Sequence, residues 1–235
     1  MKNRRKPIKF LMICILFLLW GINASAAPKL SKEKIILKEG KSKIVRVKDT
    51  VSEPFLVYYD VETDGFHYEN TEGNGLRITA DRAGVYWATV EADGERMTLK
   101  IVIMPKKNPA VKIKKTEKAT TIRYKKISIQ LPAVWEKSGY VLLPHEKGIE
   151  LCARSSYRRG YSANILSICW CSKKEWKKLS EYLPEVTRLK KKGKRVYYMT
   201  GPTDVQYDYT SKKCAKQYLA MYNTRSQVAK SLKIK

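Results

Sequence analysis

The chain has 235 residues, with 48 Lys or Arg against 22 Asp or Glu and a formal net charge of +26 at pH 7. This length suffices for one large domain or two small ones. With only two histidines, the composition argues against histidine-based catalysis. The apolar run at residues 10–22 is shorter than the ~20 residues of a membrane-spanning helix, so no such helix is predicted.

Residues 1–26 have the three-part pattern of a secretory signal peptide. Residues 2–9 carry five positive charges and no acid, residues 10–22 are apolar, and Ala24 and Ala26 place small side chains where signal peptidase reads them. We predict cleavage after Ala26 and a secreted, extracellular protein of the cell envelope. An uncleaved N-terminal anchor is the alternative.

Positive charge is concentrated in the second half of the chain. Residues 28–105 contain 12 Lys or Arg against 13 Asp or Glu, a net of −1, whereas residues 106–235 contain 31 against 9, a net of +22. Such a break indicates two units with different surroundings, and prolines with repelling lysines at the boundary favour an extended linker. We predict four segments: a signal peptide at 1–26, a β-sandwich at 28–105, a basic linker at 106–119 and an α+β domain at 120–235.

The first unit has the pattern of short antiparallel strands. Residues 34–48 contain two apolar runs around a Glu-Gly-Lys-Ser turn, and residues 75–80 and 85–90 are separated by a further turn. A hairpin turn at Asp93-Gly94 leads into a last strand at 98–104, in which apolar residues alternate. Strands of this length and spacing favour an antiparallel sandwich.

The segments KIILKEGKSKIVRV and GLRITADRAGVYWATVEADGERMTLKIVI resemble the bacterial Ig-like domain of group 2. That family has a lysine-rich first strand broken by a glycine turn, followed by a G-x-[IV]-T-A-x-x-A-G block. The resemblance implies an Ig-like sandwich that serves as a spacer or adhesive module in bacterial surface proteins and not as an enzyme. Residues 51–72 depart from the family pattern, with FLVYYDVETDGFHYEN at 55–70 in place of the usual strand and turn, so strand positions there are left open.

The second unit mixes strands and helices and predicts an α+β fold, an antiparallel sheet with a C-terminal helix across one face. The C-terminal helix has an apolar stripe at helical spacing, formed by Cys214, Tyr218, Met221, Tyr222, Val228 and Leu232. The predicted elements are strands within 121–131 and at 139–143, 148–153 and 162–171, a helix at 173–183, a hairpin at 186–199 and a helix at 211–233 with a break near Asn223-Thr224.

The segments YKKISIQLPAVW, GIELCARSSY, ILSICW and RVYYMTGPTDVQYDY resemble an uncharacterised domain of clostridial exported proteins and lipoproteins. The Pro-Thr-Asp-Val-Gln block at 202–206 is the most specific part, and Gly201 stands where the family often has an aromatic residue. The strand–Pro–Trp opening is similar to the PsbP-like fold. These resemblances imply an exported α+β domain and no particular activity.

No catalytic, cofactor-binding or metal-binding residues are predicted. His67 and His145 fall in different units, and Asp204 and Asp208 fit turn and N-cap chemistry. The alternative is an exported enzyme or enzyme accessory factor, with a site near Asp204 and the cysteines of the second unit.

The second unit contains Cys152, Cys169, Cys171 and Cys214. Four cysteines in an exported domain allow one or two disulfides, and a bond from Cys214 to one of the strand cysteines would join helix and sheet. Cys169 and Cys171 share one strand face, which leaves a metal site open. Buried free thiols are the third alternative.

Basic side chains interleaved with tyrosine and tryptophan form the candidate polyanion-binding surface of the second unit. We predict anionic cell-envelope polymers or glycans as partners, with peripheral membrane contact and without specific nucleic-acid recognition. A solvated lysine-rich surface is the alternative. The predicted polyanion-binding residues are Arg154, Arg158, Arg159, Lys173, Lys174, Lys177, Lys178, Lys190, Lys191, Lys192, Lys194 and Arg195.

Overall fold

A computed structural model describes residues 26–57, 65–117, 119–183 and 185–235. Except for Ala26, the predicted signal peptide lies outside these ranges, as does the middle of the segment at 55–70. No helix within the described ranges is long and apolar enough to cross a membrane.

The first unit is an Ig-like β-sandwich. Its described strands are β1 (Lys29–Leu30), β2 (Lys34–Lys38), β3 (Ser42–Lys48), β4 (Phe55–Val57), β5 (Phe66–Thr71), β6 (Gly75–Ala80), β7 (Gly84–Ala92) and β8 (Glu95–Met104). They form two four-stranded sheets, ordered β1-β3-β6-β5 and β2-β8-β7-β4. All pairs are antiparallel except β2 with β8, which run parallel.

The sandwich forms because alternate residues of its strands are apolar. Leu99, Ile101 and Ile103 of β8 are fully buried, as the spacing predicted. At the β7–β8 turn, Asp93 and Gly94 have φ angles of 51° and 78°, the left-handed values that a tight hairpin turn requires. The predicted Ig-like fold is confirmed.

The second unit contains the remaining described elements. Its helices are α1 (Ala133–Ser138), α2 (Arg154–Arg158), α3 (Lys173–Tyr182), α4 (Lys212–Tyr222) and α5 (Arg225–Lys230). Its strands are β9 (Val111–Lys115), β10 (Ala119–Tyr124), β11 (Ile127–Pro132), β12 (Tyr140–His145), β13 (Gly148–Ala153), β14 (Asn164–Ser172), β15 (Thr187–Lys192), β16 (Arg195–Thr200) and β17 (Lys233–Ile234).

The α+β class is confirmed, but the second unit has two antiparallel sheets where one was expected. Their strand orders are β17-β11-β10-β9 and β12-β13-β14-β16-β15. A common core lies between them, with Ile129 and Leu131 of one sheet and Ile149 and Ile168 of the other fully buried. The C-terminal helix is divided into α4 and α5 at the predicted break.

The segment predicted as an extended linker contains a strand. Residues Val111–Lys115 form β9, which pairs with β10 along its whole length. In β9, valine and isoleucine alternate with lysine. Only Val111 is half-buried, and the rest of the strand is exposed. This difference arises because an edge strand needs to bury little apolar surface and therefore looks like a polar linker in the sequence.

The two units pack directly against each other. Val102 of β8 is fully buried and belongs to the core of the second unit. The buried Tyr157 hydroxyl of α2 donates a hydrogen bond of 2.8 Å to the Ile103 carbonyl. The aliphatic part of Lys100 lies against Gly160, whose φ is +87°, and a Cβ there would approach the Cδ of Lys100 to 1.9 Å.

Candidate polyanion-binding surface

The structure places the predicted basic residues on three separate elements of the second unit. One group lies on α2 and its C-terminal cap, a second on the first turns of α3, and a third on the β15–β16 hairpin. Each group has different neighbours, so each group has a different capacity to bind an anion.

The α3 group is fully accessible. Lys173, Lys174, Lys177 and Lys178 are all exposed, and their spacing creates two like-charged pairs at i and i+4, which weaken a helix slightly. The acid of this segment, Glu175, does not offset them, because it accepts from Lys147 at 2.9 Å. An external anion could therefore relieve the repulsion along this face.

Ser172 and Glu175 form a capping box that starts α3. Glu175 accepts a hydrogen bond from the Ser172 backbone N–H, and the Ser172 hydroxyl accepts from the Glu175 N–H. These bonds, led by the one from the Ser172 backbone and strengthened by Lys147, lower the pKa of Glu175 from 4.5 to about 2. The ring of Trp176 packs on Tyr198 of β16, with centroids 5.7 Å apart.

Three of the five basic residues of the hairpin group make contacts within the fold. The ammonium groups of Lys190 and Lys192 donate to the carbonyls of Leu232 and Ile234, at 2.5 and 3.0 Å. The Arg195 guanidinium stacks on Trp170, 3.8 Å from the ring centroid.

The other two hairpin lysines, Lys191 and Lys194, are exposed. Lys190 and Lys192 are exposed as well, but their ammonium groups are engaged by the two carbonyls.

The α2 group is divided in the same way. Arg159 donates to the buried Asp208 at 2.5 Å, and the Arg154 Nε donates to the Tyr140 carbonyl at 3.2 Å. Both Arg154 and Arg158 are exposed. Arg154 also lines a groove, described next, that the sequence did not predict.

This groove, the β9–β12 groove, lies between the edge strands of the two sheets of the second unit, beside the segment that leaves the first unit. Its volume is 850 Å³. Its lining residues are Met104, Pro105, Lys106, Lys107, Asn108, Val111, Lys112, Ile113, Lys115, Glu136, Gly139, Tyr140, Val141, Leu142, Pro144 and Arg154.

Four lysines and one arginine line the β9–β12 groove, against a single acid. That acid, Glu136, accepts from Lys115 at 2.7 Å and from the Thr120 hydroxyl at 2.8 Å. The Lys115 bond is the main reason that the pKa of Glu136 lies below its usual value. Sequence reasoning missed these lysines because it assigned them to a linker, although their density there was visible.

Asp204, at the centre of the alternative enzymatic site, and its neighbour Asp208 are both engaged in local contacts. The Asp208 carboxylate accepts from the Thr210 N–H at 3.0 Å and from the Arg159 side chain, which is the turn chemistry predicted for it. The Asp204 carboxylate accepts from Gln206, whose amide oxygen accepts from the Ser162 hydroxyl.

The four cysteines of the second unit are free thiols in this structure, which is the third of the alternatives above and not the disulfide staple. Cys152 is buried and donates to Glu150 at 3.3 Å. Cys169 lies 3.7 Å from the His145 Nε2, and burial raises its pKa to about 11.

The remaining two cysteines have different surroundings. Cys171 is buried on β14, and burial raises its pKa, with Glu175 adding to the effect. Cys214 is buried in the first turn of α4, close to Arg159. The pKa of Arg159 is raised mainly by its hydrogen bond to Asp208 and secondly by its electrostatic interaction with Cys214. Cys214 lies beside Arg159, whereas Cys169 and Cys171 lie beside His145 and Glu175. Within the described ranges, no three His, Cys, Asp or Glu side chains are grouped to hold a metal ion.

No protein-family model and no curated protein matches the chain. Among solved structures, it is similar to domains 1–6 of the surface layer protein SbsC, at 8% identity and a TM-score of 0.29, over 74% of this chain and 21% of that one. A titin Ig tandem is similar at 11% identity and a TM-score of 0.28, over 76% of this chain and 83% of that one. Likenesses this distant carry no argument, so the fold rests on the sheets described above. The PsbP-like resemblance stays a prediction.

Proposed function

We propose that the chain is a secreted, non-catalytic binding protein of the bacterial cell envelope that recognises anionic surface polymers through its basic second unit. The observation that supports this proposal most is the composition of residues 106–235, which contain 31 basic residues and only 9 acidic residues. Three of those acids, Glu136, Glu175 and Asp208, already form ion pairs within the fold. Most of the basic side chains are therefore free to attract an external polyanion.

The first unit supports the envelope role without contributing charge. Its net charge of −1 gives it little attraction for a polyanion, and the Ig-like sandwich fits a spacer that holds the basic unit away from an attachment point. The pattern of residues 1–26 supports export. The enzymatic alternative has less support, because the Asp204 carboxylate already accepts a hydrogen bond from Gln206.

The proposal is tested by binding of the purified chain to isolated bacterial walls. We expect binding at low salt that weakens steeply as salt rises, because exposed charges are screened beyond about 8 Å at physiological ionic strength. Walls stripped of their anionic polymers should bind much less. Binding that is insensitive to salt, or equal on intact and stripped walls, would show that the basic surface is only a solvated face.

A further inference from the structure

The β9–β12 groove is held in a fixed shape by contacts on both sides. The Glu39 carboxylate accepts from the Lys106 N–H at 2.9 Å and from the Ala83 N–H at 2.8 Å, so the connecting segment is fastened to the first unit. The hydrogen bond from Tyr157 to the Ile103 carbonyl fastens the second unit to the same strand. A ligand would therefore meet a groove that needs little ordering on binding.

The charges of this groove select an anionic ligand. Glu136 is neutralised by Lys115 at 2.7 Å. That pairing leaves Lys106, Lys107, Lys112 and Arg154 as the positive lining. Leu142 and Ile113 add apolar surface between these charges. The groove thus combines separated cationic groups with apolar walls along an open channel, which fits an extended chain of anions better than a single small ion.

The strand edges that border this groove argue against a peptide. An added peptide strand would need backbone donors and acceptors from β9 or β12, but Pro144 has no N–H to offer. Lysines on the edge strand β9 also discourage strand pairing. A polymer without peptide groups does not need backbone hydrogen bonds from β9 or β12. Lysine and arginine side chains alone can form the hydrogen bonds and ion pairs that its anionic groups require.

We propose that the β9–β12 groove binds one strand of a polyol-phosphate polymer, with its phosphates paired to Lys106, Lys107, Lys112 and Arg154. This inference rests on the proposed function and assigns it to one site. It makes the surface of α3 an accessory region, which raises the rate of encounter through its field without holding the polymer in place.

The test compares two variants that lose equal charge from different places. The groove variant carries Lys106→Gln, Lys107→Gln and Lys112→Gln, and the control variant carries Lys173→Gln, Lys174→Gln and Lys177→Gln. All six lysines are exposed, so both proteins should fold, which thermal melting verifies. Affinity for soluble poly(glycerol phosphate) is measured by calorimetry at two salt concentrations, with polyglutamate of matched charge as the second probe.

We expect the groove variant to lose about tenfold or more in affinity for poly(glycerol phosphate), and the control variant to lose less than about threefold, since localised contacts outweigh a distributed field. The wild type should bind polyglutamate more weakly. Equal losses in the two variants, or equal affinity for the two polymers, would overturn this inference while leaving the proposed function in place. Wild-type protein that binds neither the polymer nor isolated walls would overturn both.

Discussion

At the residue scale, neighbouring lysines of the β15–β16 hairpin have different roles. Lys190 and Lys192 lie on the face toward the C-terminal segment, where they donate to the Leu232 and Ile234 carbonyls. Lys191 points to the opposite face, since side chains alternate along a strand. Charge alone therefore does not identify which lysines are available to a ligand.

This difference predicts opposite outcomes for two matched double substitutions. Lys190→Glu with Lys192→Glu removes two hydrogen bonds to carbonyls and should reduce the free energy of unfolding by roughly 1–3 kcal/mol. Lys191→Glu with Lys194→Glu makes the same change in charge without removing these two hydrogen bonds and should leave stability within about 0.5 kcal/mol. Urea unfolding of both proteins measures the difference. Equal stability would mean that the two carbonyl contacts are replaced by water at no cost.

At the element scale, α3 depends on its first turn more than on burial. None of its described side chains is fully buried, and its lysines repel one another at i and i+4. The capping box of Ser172 and Glu175 stabilises the first turn, and the ion pair to Lys147 holds the Glu175 carboxylate beside it. The start of this helix should therefore be sensitive to the protonation state of Glu175.

Acid should destabilise this part of the fold over a defined pH range. Because the pKa of Glu175 falls from 4.5 to about 2 on folding, its carboxylate stabilises the folded state above pH 4.5, and this contribution is lost as the pH falls toward 2. Glu175→Gln should remove that part of the pH dependence, whereas Glu181→Gln on the same helix should retain it. Thermal midpoints measured by circular dichroism from pH 2 to 6 compare the two. Parallel curves for both variants would contradict the role of the cap.

Elements governed by local sequence were predictable, and those governed by distant partners were not. The Ser172 cap, the Asp93-Gly94 turn and the helix break before Thr224 each follow from neighbouring residues, and the structure has all three. Strand β9 was missed because only its pairing with β10 distinguishes it from a linker. The β9–β12 groove was missed because its walls come from segments about thirty residues apart that meet only in the folded chain.

At the scale of the whole molecule, the division of charge does not coincide with a division of packing. Val102, in the nearly neutral unit, is fully buried in the core of the basic unit. Lys100 of β8 extends between aromatic rings of both units, 3.9 Å from the Trp87 centroid and 5.4 Å from that of Tyr161. The two units therefore share a buried area of contact, and their relative placement sets the shape of the β9–β12 groove.

We expect this shared contact to make the two units unfold together. Tyr157 is 1% exposed and donates to the Ile103 carbonyl at 2.8 Å. Tyr157→Phe removes this buried hydrogen bond and should therefore reduce stability by roughly 1–3 kcal/mol. Tyr157→Ala also leaves a cavity, which should cost about 3–5 kcal/mol by analogy with other large aromatic truncations, and should separate a single calorimetric transition into two.

Tyr182→Phe, at a residue that is 80% exposed, is the matched control and should leave the transition unchanged. If the wild type already shows two transitions, or if Tyr157→Ala lowers the midpoint of one transition without dividing it, then the contact does not couple the units. A groove whose shape depends on that coupling should also lose affinity for poly(glycerol phosphate) in Tyr157→Ala while every groove lysine is still present.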